Sequence, residues 1–503
     1  MPLRSLVWLA CVAMFVTLAA VRTYRLDADP PRHVVEGYKD RAHLRDEGAK
    51  LHEARNRVVF GSWRLAEADE YAFWLRQSPL WVGGAAVWLD AVGLSWPRAR
   101  WISVTYSLAT LALLAWLAWV RHGPAAAFTG AICLGLCWPY LLYSRLALME
   151  CAVLFWLVTV GACLLRLSEA TSRRAPIWVA SAVICSLAAV LTKQSGWLVV
   201  PASLTAMLGM VWRARGPVRR WGVVGAGVVI AVGVALALDT DYSQRLAFNA
   251  RHYMAKRTGS PLEAAWDRLW SGSGWTQLAV MVISMAPFLF VPALVELAWR
   301  LRDRLTAQST ADWFERWWLM WLCLGTAVTF VTTQRAVRFQ LIVIVPAAWF
   351  TAALFGRLWR LSRTGRSRVV LRSSVLAVLA WAAVAGLMPW VRWIERADTT
   401  LVAAGPQLEK IIGPGPAVVV GEHAGNVVFT TPYKHFYIRP RQFNDDRQTI
   451  DALGVTHVVT RRRRDFVERV LRKETPKRWA ARKRLGRLKF RGETLTVWKL
   501  AAQ

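Results

Sequence analysis

Apolar runs of about twenty residues recur along most of this 503-residue chain, and its charged residues concentrate between them. The runs fall at about 5–22, 101–120, 124–142, 150–166, 176–192, 196–212, 221–238, 276–299, 316–333, 338–356 and 373–393. A helix needs roughly 20 apolar residues to cross the hydrocarbon core of a bilayer, so the pattern predicts a polytopic α-helical membrane protein of about 11–13 spans. The first run follows a lone Arg4, and Ala19-Ala20-Val21-Arg22 makes only a loose signal-cleavage site, so an uncleaved first span is expected. Leu80 to Leu94, introduced by Ser78-Pro79, is short for a span and reads as a re-entrant or interfacial piece.

Two polar regions interrupt this pattern. A long loop at 23–99 follows the first run, and within it Lys39 to Phe60 has helical periodicity. Ala42, Ala49, Ala54 and Val58 recur on one face, while Asp46, Lys50, Glu53 and Arg57 line another. From about 398 the hydropathy falls. Pro416 to Gly421 and Val455 to Thr460 read as short buried strands, and 405–412 and 446–453 as helices. The chain therefore divides into a transmembrane domain at 1–397 and a small soluble α/β domain at 398–503. The latter ends in a basic tail beginning at Arg461 to Arg464 and continuing through Lys473, Lys477 and Arg478.

Charge orients the spans. With the N-terminus cytoplasmic, the inside loops carry Arg121, Arg173-Arg174, Arg213 to Arg220, Arg300 to Arg304 and the Arg-rich 357–372 segment. The outside connections at 143–149, 193–195, 239–275 and 334–338 are less basic, as the positive-inside rule requires. This places Asp46, Glu150, Lys193, Arg338 and the C-terminal domain at the extracytoplasmic face of an inner (plasma) membrane. The net charge of +32 then points to membrane lipids and phosphate-bearing substrates as partners, with no nucleic acid. All seven Cys lie in or beside apolar runs without metal-ligand spacing, and read as small buried hydrophobes.

Candidate chemistry gathers at the outer ends of the runs. Asp46 and Glu47 suit a general base; equally, Asp46–Lys50 and Lys50–Glu53 are neighbour pairs of a solvated helix face. Glu150 opens an apolar run after Tyr143-Ser144-Arg145, where facing lipid would cost about 2–3 kcal/mol. It either faces a cavity or snorkels, paired with Arg145. Lys193 sits in a polar break and is either a phosphate-holding point charge or a turn lysine. Arg338, with Arg335 beside it, suits a phosphate leaving group or plain snorkelling. In 239–275, Arg251, His252, Tyr253, Lys256 and Arg257 lie near Trp266 and Trp270, as in a sugar–phosphate site or an interfacial helix. No HExxH, GxSxG, Walker or strand-linked GxGxxG motif occurs. No metal site is assigned, and a dissociable divalent metal is left open.

With the residues in view, "ARNRVVFGSW" and "SPLW" after the Asp46-Glu47 pair, "YSRLALME", "LTKQSGWLVVP" and "RAVRFQLIVIVP" resemble the polyprenyl-phosphate-dependent glycosyltransferases of the GT-C class. The resemblance is to the branch of protein O-mannosyltransferases and the lipid A aminoarabinose transferase, over roughly residues 1–356. It implies inverting transfer of a hexosyl or pentosyl group from a polyprenyl-phosphate donor to an acceptor lipid, glycan or protein. Asp46 would be the base, with Glu47 beside it, and Glu150 a second acid. Lys193, Arg338 and Arg335 would contact the departing phosphate, and Arg145, Tyr143 and Ser78 would shape the acceptor site. Two departures stand out: relatives often have Asp at the second acid, and Lys or His before the proline of Gln77-Ser78-Pro79. Two other classes compete. A flippase for a lipid-linked saccharide predicts half-chain symmetry, which the sequence lacks. A non-catalytic membrane assembly protein would bind anionic polymer through the basic tail.

Overall fold

The computed structural model describes the chain except for residues 1–2, 35–42, 72–73, 171–172, 214–220, 222, 229, 232–234, 236–265, 267–269, 281, 283–285, 306–311, 332–336, 363–367, 441, 462–464 and 503. Five helical segments among the described residues are long and apolar enough to cross a membrane: Trp96–His122, Glu150–Glu169, Ala175–Thr192, Val337–Leu361 and Arg372–Ile412. The protein is therefore a multi-pass, mostly helical membrane protein. Part of the predicted run 221–238 and most of the 239–275 segment lie outside the described residues.

In chain order, α1 is Leu3–Thr23, α2 His43–Phe60, α3 Trp74–Gln77, α4 Pro79–Val92 and α5 Trp96–His122. These are followed by α6 Pro124–Gly135, α7 Trp138–Tyr143, α8 Glu150–Glu169, α9 Ala175–Thr192 and α10 Val200–Arg213. Further on come α11 Pro287–Leu305, α12 Trp313–Val331, α13 Leu341–Leu361, α14 Arg368–Arg396 and α15 Thr400–Ile412. The run expected as one span at 124–142 is broken between α6 and α7. Pro139 has no N–H to donate and is tolerated only in a first turn, so it restarts the helix after Leu136-Cys137. The centre of the bundle is the Val337–Leu361 segment, with 94% of its apolar window buried. Its side chains share one core with those of α5, α6, α8 and α12, where Trp317, Trp318, Trp321 and Trp349 are fully buried.

The C-terminal region folds as a five-stranded sheet. Strands β1 Val418–Val420, β2 Lys434–Phe436, β3 His457–Arg461, β4 Lys483–Phe490 and β5 Glu493–Lys499 lie in the order β2-β1-β3-β5-β4. β1 pairs in parallel with β2 and β3, whereas β5 pairs antiparallel with β3 and β4. Much of the basic tail is thus an ordered hairpin. Arg491 and Gly492 turn it with φ of 48° and 70°, the two left-handed residues a tight hairpin needs. Along β4, Leu488 and Phe490 point inward while Arg487 and Lys489 are exposed on the edge strand, where lysine and arginine discourage further strand pairing.

The sheet is not a detached appendage. One core joins Leu51 and Ala54 of α2, Trp81 and Leu89 of α4, Leu401 and Leu408 of α15, and Val419, Leu495 and Val497 of the sheet. α2 is consequently wedged between the helical bundle and the sheet.

Candidate active site

Helix α2 is tied to the C-terminal region by polar contacts that leave little freedom. The Gly48 N–H donates to Asn426 Oδ1 at 2.7 Å. A Cβ at Gly48 would stand 2.6 Å from the Gly425 carbonyl carbon, so only glycine permits this approach. The Arg55 guanidinium donates to the carbonyls of Val428, Phe429, Thr431 and Tyr433. Glu47 is fully buried. Its carboxylate accepts from Arg100 Nε and Nη2 at 2.9 Å, from Arg491 Nη2 at 2.5 Å and from the Ala147 N–H at 2.9 Å. Burial alone would raise the Glu47 pKa, but the two guanidiniums outweigh it and hold the carboxyl at about 2. Arg100 also donates to the carbonyls of Leu26 and Ala28, so this acid pins α2, α5, the sheet and the chain after α1 at one point.

With Glu47 occupied in this way, its neighbour Asp46 faces a second set of charges. Arg338 Nη1 donates to Asp46 Oδ2, and Arg338 Nε lies 3.8 Å from Glu150 Oε1. Lys193 Nζ donates to that same Glu150 oxygen at 2.7 Å. Four separate elements supply these groups. Asp46 is in the first turn of α2, Glu150 is the first residue of α8, Lys193 is the residue that ends α9, and Arg338 is in the 3-10 turn Val337–Gln340 before α13. A carboxylate at a helix N-terminus and an ammonium at a helix C-terminus are each favoured by the local dipole. Glu150 is buried, and its Oε2 has no hydrogen-bond partner among the described residues.

Lys50, one turn beyond Asp46, belongs to this cluster as well. Its ammonium lies 3.0 Å from the centroid of the Trp74 ring, within the electrostatic field of Asp46, Arg338, Glu150 and Lys193. Burial lowers its pKa to about 7, with Asp46 pulling upward and Arg338 adding to the fall. The predicted solvated face of α2 is therefore the face that meets the site. Glu53 is likewise buried and accepts from the backbone N–H groups of Trp74 and Leu75.

The other sequence candidates lie around this centre. Arg145 does not pair with Glu150: it donates to the carbonyls of Val21, Tyr24 and Arg25 and stacks over Trp393, securing the end of α1. Ser78 is buried, and its hydroxyl lies 3.8 Å from Met149 Sδ, against the residue preceding Glu150. Tyr143 is buried in the bundle core at the end of α7. Arg335 and Arg251 to Arg257 lie outside the described residues. Among the described residues no group of three His, Cys, Asp or Glu is placed to hold a metal.

Beside the cluster runs an apolar groove of about 210 Å³. It is formed by Trp81 and Trp88 of α4, Ile102 and Tyr106 of α5, Ala152 of α8 and Thr192 of α9. Ala152 lies two residues from Glu150, Thr192 adjoins Lys193, and the Trp81 indole donates to the Lys50 carbonyl at 3.2 Å. The groove is thus walled by the same helices α8 and α9 that present Glu150 and Lys193 at their ends.

No protein-family model matches the sequence, and neither does any curated protein. Solved structures do match the fold. ArnT from Cupriavidus metallidurans, determined bound to undecaprenyl phosphate and in the apo state, superposes over 97% of both chains with a TM-score of 0.59 and 14% identity. An oligosaccharyltransferase from Archaeoglobus fulgidus, determined with zinc and sulfate, matches 89% of this chain and 68% of its own, with a TM-score of 0.56 and 12% identity. Both are GT-C enzymes, and this chain has the GT-C fold expected from its motifs. ArnT, the lipid A aminoarabinose transferase, shares it from end to end.

Proposed function

We propose that this chain is an integral membrane glycosyltransferase, moving a sugar from a polyprenyl-phosphate donor to an acceptor hydroxyl or amine at the extracytoplasmic face. The observation that carries the reading is the convergence of Asp46, Arg338, Glu150 and Lys193 from four elements, two of which, α8 and α9, also wall an apolar groove. A phosphate on a long apolar chain matches both halves of that arrangement. The undecaprenyl phosphate bound by ArnT, a protein of the same fold, supports a lipid of this class.

The reaction is a single displacement with inversion at the anomeric carbon. The acceptor oxygen or nitrogen bonds to that carbon as the carbon–oxygen bond to phosphate breaks. The bonding pair leaves on the phosphate, and the acceptor proton passes to Asp46. Arg338 and Lys193 stabilise the charge that develops on the leaving group. In the resting site Arg338 is engaged by Asp46, so an arriving phosphate competes for that guanidinium and releases carboxylate oxygens for the acceptor. Oε2 of Glu150, which has no hydrogen-bond partner among the described residues, would receive a sugar or acceptor hydroxyl. No step in this scheme calls on a metal, and a divalent ion would serve as an additional phosphate counter-charge.

The test is sugar transfer from a polyprenyl-phosphate donor pool in membranes, comparing the native protein with Asp46→Asn and Glu150→Gln at matched expression. Loss of the general base is expected to slow transfer by roughly 10²–10⁴-fold, with Glu150→Gln also impaired. Wild-type transfer by both folded variants would refute the reading.

A further inference from the structure

Charge balance in the site is uneven. Asp46 and Glu150 are engaged by Arg338 and Lys193, two acids against two cations. Lys50 is a third cation within the same field, and its ammonium makes no hydrogen bond or ion pair with the described residues. Among the described residues it rests over the Trp74 ring, 3.0 Å from the centroid. That ring is itself oriented, because Trp74 Nε1 donates to Tyr71 Oη at 2.7 Å. An ammonium held by an aromatic face, with neighbouring carboxylates already paired, is a cation prepared for an anion that comes and goes. The Lys50 carbonyl accepts from the indole of Trp81, a residue that also lines the apolar groove, so the helix turn that carries Lys50 packs against the groove wall. The nearby segment Gln77-Ser78-Pro79 offers no cation, and Gln77 instead accepts from the Gln194 amide at 3.4 Å.

Resting on the glycosyltransferase reading, we infer that Lys50 is a donor-binding residue, its ammonium contacting the phosphate of the polyprenyl-linked donor and of the polyprenyl phosphate that leaves. Burial brings this ammonium close to neutrality in the empty site, so binding a phosphate also recharges it. Asp46 and Glu150 favour the charged form, and Arg338 and Lys193 oppose it. The neutral fraction gives the interaction a pH signature that an arginine at this position would lack.

The experiment titrates undecaprenyl phosphate into the purified full-length protein in detergent, using wild type, Lys50→Met, Lys50→Arg and Asp46→Asn. Thermal unfolding is recorded for each variant. Lys50→Met is expected to weaken binding ten- to hundredfold at unchanged Tm, and Lys50→Arg to recover most of the loss. The ratio of wild-type to Lys50→Arg affinity should fall from pH 7 to pH 9. Asp46→Asn, which removes a negative charge from beside Arg338, should bind at least as tightly as wild type while failing to transfer. Inorganic phosphate at the same concentrations should compete poorly; competition as strong as that of the lipid would overturn the assignment to a lipid headgroup. Equal affinity of wild type and Lys50→Met, with wild-type transfer intact, overturns the role of Lys50 and leaves the enzyme reading standing. A wild type that neither binds the lipid nor transfers sugar overturns both.

Discussion

Replacing Glu47 by Gln removes the one negative charge between two buried guanidiniums. Arg100 and Arg491 are both almost fully excluded from solvent, and in the native protein their charges converge on a single carboxylate. A glutamine of the same shape would turn its NH₂ toward one of them and leave two cations uncompensated. Breaking a buried ion pair by removing one partner costs about 3–5 kcal/mol. For a chain of this length the shift is roughly 1 °C per kcal/mol, so the Tm should fall by about 3–5 °C. The Glu47 carboxyl, held at about 2, remains ionised through the working pH range. Its contribution is present above the unfolded value near 4.5 and is lost as pH falls from there toward 2. The assay is thermal unfolding of the purified protein at pH 7, paired with sugar transfer below the transition. Adding Arg491→Met removes one stranded charge, so the double variant should be more stable than Glu47→Gln alone. A Glu47→Gln protein with wild-type Tm and no transfer would show that Glu47 acts on substrate instead of anchoring α2, and would refute this account.

Other perturbations test the clamp on α2. Gly48→Ala places a methyl group 2.6 Å from the Gly425 carbonyl carbon and 2.7 Å from the Asn426 nitrogen. Backbone cannot yield as a side chain does, so α2 must shift, and a displacement near 1 Å is expected to cost about 10²-fold in kcat/KM. Gly83→Ala, with open space around its Cβ, should leave the rate unchanged. The imidazoles of His52 and His435 are packed 5.4 Å apart in the interface between α2 and the sheet. Burial lowers both, His435 to about 3. The unfolded chain takes up these protons near pH 6.5 and the folded chain does not, so stability should decline from about pH 6.5 toward 3, by up to about 1.4 kcal/mol per histidine per pH unit. Tm measured against pH should show this slope, and His435→Phe should flatten it.

Hydropathy made most of the bundle legible, because a lipid-crossing helix announces itself by length and apolarity without reference to its neighbours. The two short parallel strands at Val418–Val420 and His457–Arg461 were legible for a similar reason, as valine-rich runs. The β4–β5 hairpin was not. Its inward positions, Leu488, Phe490, Leu495 and Val497, are diluted by arginine and lysine on the exposed face, and composition averaged them into a basic tail. Nor does sequence reveal the partner of a charge. For Glu150 the sequence offers Arg145, five residues before it in the loop, as one candidate partner, whereas its partners lie at the end of α9 and before α13.

The Asp46-Glu47 pair shows why motif and role separate. Adjacent residues on an α-helix point about 100° apart, so two acids side by side in sequence cannot face the same environment. Asp46 looks along the face that carries Lys50 toward Arg338, while Glu47 looks along the face of Leu51 and Arg55 into the sheet. One acid is partly exposed and paired with Arg338; the other is buried beneath two arginines. The second fixes the helix that aims the first. Any substitution on the Glu47 face should therefore act on the Asp46 face through position and not through charge. The separation is measurable: scaffold variants should lower Tm and transfer together, whereas Asp46→Asn should lower transfer alone.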